Sequence, residues 1–250
     1  MDFKNHNDYD IFQRDIRYKQ RYVHTGPVVE FLKALKTTLP ERTRSLSKGN
    51  LLCRAQIGFA EENLDGESII RGFSEQRMKP NRDYCGEGRA NPRGIPYLYL
   101  SNDLDTCMAE LRPQRAEMLS VAQFEIQRNL KIVDCFSTKQ EFWNVELIFN
   151  PPTTQEGIRN AIWWQINQAF SRPVSRGDTS SSYIPTQVLV EFFLDNGLDG
   201  VCFKSGLGKG LNFVLFDLAA ADLINCGVYS VDSVNYEFSE CANRYFRKSN

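Results

Sequence analysis

The spacing of apolar residues predicts a helix near the start of the chain. Thr25 is a candidate cap, Pro27 suits the first turn, and Pro40 marks the position before which the helix is expected to end. Between them, four apolar residues recur at helical spacing: Val28, Phe31, Leu32 and Leu35. A single apolar face favours a helix packed on the main domain over a separate recognition module. The polar residues 41–50 are expected to form the link that follows.

Beyond residue 50 the pattern changes to short apolar runs between loops, which predicts β-strands. The predicted strands cover residues 51–57, 96–101, 120–126, 130–133, 200–205 and 211–216. The loop at 77–94 is rich in glycine and arginine. Such loops are usually solvated, but the same composition also suits a loop that wraps a phosphate group.

Three stretches with helix signals alternate with these strands. A short helix is predicted over 102–111, and it places Glu110 near its end. A longer helix is predicted over 153–170, opened by a capping box that begins at Thr153. A third covers 183–194, with a proline in its first turn and a glycine stop shortly after it.

The composition fits one folded domain with a short addition. Of the 250 residues, 42% are hydrophobic and 12% aromatic, which is enough to fill a core. We expect a chain of the α/β class, α+β type, with a helical N-terminal appendage over residues 1–49. The main domain then covers residues 50–250 and closes with a C-terminal strand and tail. Thirty basic side chains balance thirty-one acidic ones, which argues against direct binding of nucleic acid or of a membrane surface.

The cysteines and the apolar runs predict a cytoplasmic location. No C-x-x-C pair is present and neither histidine lies near a cysteine, so a structural metal site is not expected. The start of the chain is polar, and no stretch approaches the roughly 20 apolar residues of a membrane span. We therefore expect free thiols in a reducing compartment. The seven cysteines are Cys53, Cys85, Cys107, Cys135, Cys202, Cys226 and Cys241.

Several familiar kinds of active site do not fit the sequence. His6 and His24 both lie in the N-terminal part, so a catalytic triad would have to recruit a residue from outside the main domain. The glycine run at 206–210 lacks the Ser or Thr that follows the lysine of a phosphate-binding P-loop, and a strand rather than a helix follows it. Residues 86–91 lack the third glycine of a dinucleotide fingerprint.

Five polar residues remain on or beside the predicted strands. Each has an ordinary structural explanation: an edge arginine, a solvated late-helix glutamate or a serine in a turn. Together they indicate a site that works without metal and without histidine. They are Arg54, Arg89, Tyr99, Glu110 and Ser205.

Ordered blocks of residues carry a resemblance to a known family. They cover 52–55 (LCRA), 88–96 (GRANPRGIP), 98–101 (LYLS), 106–112 (TCMAELR), 183–187 (YIPTQ), 200–205 (GVCFKS) and 212–216 (NFVLF). With these blocks the chain resembles the RES domain, named for its arginine, glutamate and serine. The domain occurs in toxins of toxin–antitoxin pairs and in related stand-alone proteins.

The resemblance implies a fold, a substrate and a partner. The fold is similar to the ADP-ribosyltransferase type, a mixed α/β domain with a split sheet around a cleft. NAD is the substrate, with no cofactor and no metal, and the implied reaction is hydrolysis or phosphorolysis of the nicotinamide–ribose bond. The alternatives are a protein ADP-ribosyltransferase and a catalytically silent NAD-binding module. An Xre-like antitoxin is the implied partner, and residues 1–49 are expected to cover the cleft, form a homodimer or hold that partner.

The implied reaction assigns a role to each residue. Breaking the bond to a pyridinium forms a sugar cation and releases a neutral leaving group, so the protein must supply anchoring and charge rather than a general acid. By the resemblance, Arg54 and Arg89 hold the pyrophosphate and Tyr99 lies against the nicotinamide. Glu110 stabilises the ribose or its developing cation, Ser205 hydrogen-bonds the nicotinamide ribose or amide, and Asn212 binds NAD. Further candidates for the phosphate role are Arg71, Arg82 and Arg93.

Overall fold

The structure of the protein is a computed structural model that describes residues 2–136, 147, 149–172, 180–235 and 237–240. Its helices are α1 (Asp8–Tyr18), α2 (Pro27–Arg42), α3 (Glu75–Met78), α4 (Leu104–Ala109), α5 (Gln155–Ser171) and α6 (Ile184–Asp195). Its strands are β1 (Thr43–Leu46), β2 (Leu51–Ile57), β3 (Ala60–Leu64), β4 (Glu67–Arg71), β5 (Leu98–Ser101), β6 (Met118–Ile126), β7 (Leu130–Asp134), β8 (Gly200–Lys204), β9 (Leu211–Leu215) and β10 (Ala221–Ser230). The predicted α+β class is confirmed.

Eight of the strands form one mixed sheet. Their order is β1-β7-β8-β9-β5-β2-β6-β10, with β3 and β4 in a separate hairpin. The pair β7–β8 is parallel and the other neighbours are antiparallel. At the centre, β2 and β5 share one residue pair, Cys53 with Ser101. The sheet therefore splits between these two strands.

The N-terminal helices pack on the main domain, as the apolar face of the second one predicts. Phe12 of α1 and Leu35 of α2 are fully buried. They belong to the same apolar core as Ile162 of α5 and Phe193 of α6. None of the described helices combines the length and the apolar surface that crossing a membrane requires.

Two predictions about the first fifty residues are wrong. Helix α2 does not end before Pro40 but continues to Arg42. A proline in the last turn removes one backbone donor, and the Thr43 hydroxyl caps this end by donating to the Leu39 carbonyl at 2.8 Å. The expected link also contains strand β1, which pairs antiparallel with β7. The boundary after residue 49 stays a prediction.

The cap of α5 also differs from its predicted form. The structure places Thr154, not Thr153, at the N-cap, where its hydroxyl accepts a hydrogen bond from the Gly157 backbone N–H at 3.1 Å. Two adjacent threonines offer the same chemistry, and backbone geometry decides which one caps the helix. The predicted strands and helices of the main domain are otherwise present within a few residues.

Packing around α4 holds its last residues at the split in the sheet. Cys107 of α4 packs in one small core with Cys53 and Ala55 of β2. On its other side, the loop between β8 and β9 lies close against the helix start. A Cβ added to Gly210 would lie 2.5 Å from the Cβ of Asp103, so this close approach requires glycine.

Candidate active site

The split opens into a cavity of about 520 Å³. Its walls come from β2, β5, β8, β9, the ends of α4 and α5, and the loop residues Arg89 and Leu207. Five of the six predicted site residues line it: Arg54, Arg89, Tyr99, Glu110 and Asn212. Ser205 lies buried behind Glu110. Strands and helices that are far apart in sequence therefore bring the predicted residues together.

Glu110 is the acidic centre of this cavity. Its Oε1 accepts hydrogen bonds from Ser205 Oγ and from Asn212 Nδ2, both at 2.6 Å. The Ser205 oxygen itself accepts the backbone N–H groups of Leu207 and Gly208, at 3.0 and 3.1 Å, so its own proton points to Glu110. Among the described residues no hydrogen bond reaches Oε2. The carboxylate is thus fixed through one oxygen, in a side chain that is exposed and lines the cavity.

Arg54 joins the two halves of the split sheet. Its Nη1 donates to the Tyr99 carbonyl at 3.0 Å, and its Nε is buried without a hydrogen-bond partner among the described residues. Burial lowers the pKa of the guanidinium, and the nearby Arg77 acts in the same direction. A guanidinium remains charged in proteins, so this half-buried one, which meets a carbonyl rather than a carboxylate, attracts an anion.

Arg89 is held in the cavity wall by contacts with the end of α5 and the start of α6. Its Nη1 donates to the Ala169 carbonyl near the end of α5 at 2.9 Å, and its guanidinium lies 5.6 Å from the centre of the Tyr183 ring. The hydroxyl of Thr186, in α6, donates to the Arg89 carbonyl at 2.5 Å. These contacts fix the direction in which the side chain enters the cavity.

Tyr99 uses its hydroxyl to hold the glycine-rich loop. The hydroxyl donates to Asn91 Oδ1 at 2.7 Å and accepts the Ala90 backbone N–H at 3.0 Å. Burial raises its pKa. Gln187 of α6 completes this arrangement by donating to the carbonyls of Gly88 and Asn91. Because the hydroxyl already makes two hydrogen bonds within the protein, the ring is the part of Tyr99 that can contact a ligand.

The cavity also contains residues that the sequence analysis did not select. Arg112 and Arg172 follow the ends of α4 and α5, and Phe170 and Phe203 form an apolar part of the wall. Arg112 closes the block 106–112, which could have marked it, whereas an arginine just after a helix, such as Arg172, has no local signal. The alternative phosphate ligands Arg71, Arg82 and Arg93 are not part of this wall, and Arg71 pairs with Glu62 at 2.8 Å.

A second cavity of about 550 Å³ adjoins the first. The two share Arg54 and Tyr99 in their walls. Charged side chains, among them Arg77, Lys79 and Glu87, line the rest of the second cavity together with Tyr84, which is 88% exposed. An extended ligand can therefore lie in both cavities, with its middle beside Arg54.

Gly88 gives a direct test of how the glycine-rich loop is held. A Cβ at this position would lie 2.7 Å from both Asn91 Oδ1 and the Tyr99 hydroxyl oxygen. Gly88→Ala is therefore expected to lower the free energy of unfolding by about 1–3 kcal/mol, because it forces these groups apart. Denaturant unfolding measures the change. Gly86→Ala is the control, since its Cβ would meet no atom within 4 Å. Equal changes in both variants would contradict the packing described.

Comparison with known proteins identifies the family. The RES domain family model matches residues 69–239, and the chain belongs to this family, as its motifs predict. Among solved structures it is similar to one described as the crystal structure of the M. tuberculosis MbcT–MbcA toxin–antitoxin complex. The TM-score is 0.41 and the identity 13%, over 78% of this chain and 92% of that chain. No curated protein matches the sequence.

Proposed function

We propose that this protein is an NAD-consuming enzyme that cleaves the nicotinamide–ribose bond. The observation that carries the proposal is the fixed carboxylate of Glu110, held by Ser205 and Asn212 in a cavity that also contains Arg54. A cavity of this size suits a small-molecule ligand. Membership of the RES domain family supports the same conclusion.

The reaction needs charge placed beside the ribose. When the bond between C1′ of the ribose and the pyridinium nitrogen breaks, its electron pair stays on the nitrogen and neutral nicotinamide leaves. The positive charge passes to the ribose, where Glu110 stabilises it by its negative charge. Water or phosphate then adds to C1′, and a proton is released when water is the acceptor. Ser205 and Asn212 position Glu110 for this step.

The two halves of NAD would lie on either side of Arg54. In this arrangement the nicotinamide riboside occupies the first cavity near Glu110 and the Tyr99 ring. The pyrophosphate meets the Arg54 guanidinium, and the adenosine half extends into the second cavity. A guanidinium matches phosphate oxygens through two parallel hydrogen bonds, and half-burial at the cavity wall reduces their screening by water. Arg89 lies on the opposite wall as a second cation for the same group.

The family also supports a biological setting for the activity. We propose that the protein is a toxin, restrained in the cell by an antitoxin of the Xre-like kind. NAD loss would then harm the cell whenever the antitoxin is removed. Co-expression of the chain with the product of its neighbouring gene tests this: relief of growth arrest supports restraint, and unchanged arrest argues against it.

The first experiment is to measure nicotinamide release from NAD by the purified protein, with and without phosphate. Release with either acceptor supports the proposal. Free ADP-ribose as product would show hydrolysis, and its 1″-phosphate would show phosphorolysis. Transfer of label from adenine-labelled NAD onto a protein would instead identify a transferase. Saturable NAD binding without nicotinamide release would identify a binding module and contradict the proposal.

A further inference from the structure

Two thiols meet in the wall of the proposed NAD cavity. Cys53 of β2 immediately precedes Arg54, and Cys107 of α4 lies three residues before Glu110. Both cysteines line the cavity, and both are free. The proposed mechanism uses neither of them.

The two cysteines pack in one small core between β2 and α4, where the Asp103 carbonyl accepts the Cys107 backbone N–H at 3.0 Å. Cys53 Sγ also lies 3.2 Å from the Ser101 carbonyl and 3.3 Å from the carbonyl of Asp103, the N-cap residue of α4. Contact with Cys107 lowers the pKa of Cys53, and contact with Cys53 raises the pKa of Cys107. The pair therefore gives up one proton more easily than the second, which makes Cys53 the nucleophile of the two.

The remaining cysteines do not share this position. Cys135 and Cys202 are buried and are not part of the cavity wall, and burial raises the pKa of both. Cys85 lines the second cavity and accepts a hydrogen bond from Asn91. Cys226 contacts the segment after β4, and Cys241 lies outside the described residues.

We propose that Cys53 and Cys107 form a modification site at which a hydroperoxide closes a disulfide and switches the cavity off. The Cys53 thiolate attacks the peroxide, the O–O bond breaks, and a sulfenic acid and water or an alcohol result. Cys107 sulfur then attacks the Cys53 sulfur, and the sulfenic oxygen leaves as water. Two thiols lose two electrons and two protons in total, and the peroxide gains them.

The disulfide acts on the site because it changes the position of α4. A disulfide forms only within narrow limits of sulfur separation and torsion, and we infer that reaching them draws α4 toward β2. Glu110 ends α4, while Ser205 and Asn212 belong to β9 and the loop before it. The shift therefore disturbs the two 2.6 Å hydrogen bonds on Glu110. This consequence for turnover rests on the proposed function, whereas disulfide formation does not.

The test treats the purified full chain with hydrogen peroxide, alkylates the remaining thiols and analyses the peptides by mass spectrometry. We expect a linked pair of peptides containing Cys53 and Cys107, lighter by two hydrogens than the reduced pair. Nicotinamide release should fall by roughly 100-fold, as small misplacements of a catalytic group can cause, and dithiothreitol should restore it. Absence of the linked peptides would overturn the proposal.

Matched variants separate this effect from general oxidation. For each variant the measured quantity is the ratio of treated to untreated activity. Cys53→Ser and Cys53→Ala should keep this ratio near one. Cys85→Ser should lose activity on treatment as the wild type does. Cys107→Ser should retain a sulfenic acid at Cys53 that dimedone traps. Equal inactivation of the Cys53 variants would overturn the switch. Linked peptides in a protein that releases no nicotinamide would refute the proposed function and leave the modification site standing.

Discussion

Replacing Glu110 with glutamine is expected to lower nicotinamide release from NAD by about 100- to 1000-fold, the size typical of losing one aligned electrostatic stabiliser. The amide oxygen of glutamine can still accept the hydrogen bonds from Ser205 and Asn212. The geometry is thus kept while the negative charge is lost. Because Glu110 is exposed to the cavity, the free energy of unfolding should change by no more than about 0.5 kcal/mol.

Asp105→Asn is the matched control for this variant. Asp105 is an exposed carboxylate on the same helix, and it is not part of the cavity wall. It should keep the turnover of the wild type. Steady-state nicotinamide release, together with thermal unfolding of both variants, makes the comparison. Wild-type turnover in Glu110→Gln would remove Glu110 from the mechanism.

Replacing Arg54 with alanine is expected to weaken NAD binding by about 10- to 100-fold, which corresponds to the loss of one charged hydrogen-bonding group. Turnover at low NAD concentration should fall at least as far. Arg54→Lys should recover part of the affinity because it keeps the charge but not the planar fork. Titration calorimetry measures the affinity. Thermal unfolding is needed beside it, since the substitution also removes the hydrogen bond to the Tyr99 carbonyl across the split.

Arg71→Ala is the control for the phosphate role. The sequence offers Arg71 as an alternative phosphate ligand. The structure places it on β4, where it forms an ion pair with Glu62. It should bind NAD as the wild type does. If Arg71→Ala weakens binding while Arg54→Ala does not, the pyrophosphate lies elsewhere than we propose.

The distance in sequence between interacting residues explains which features the sequence predicts well. Strand β2, helix α4 and helix α6 follow from apolar spacing, caps and turn residues within a few positions of one another. Helix α1 carries buried Tyr9, Phe12 and Ile16 at helical spacing, yet the many polar residues around them hide the pattern.

The arrangement of the site depends on contacts between distant segments. Glu110 and Ser205 are 95 positions apart, and the helix length, the loop packing and the strand register together bring them to 2.6 Å. The ordered motifs identify these residues without showing their geometry. Arg112 and Arg172 enter the wall through the same long-range packing, and Arg172 lies in none of the motifs.

The sequence by itself determined the fold class, most of the strands and helices, the family and five of the residues that line the cavity. Tertiary structure decided that β1 joins the sheet, that β2 and β5 separate after one residue pair, and that the Tyr99 hydroxyl holds a loop. It also decided that Cys53 and Cys107 pack in one small core. Local patterns fix elements because their determinants lie within a few residues. Strand order and side-chain partners depend on which distant surfaces bury each other, and a local pattern does not contain that information.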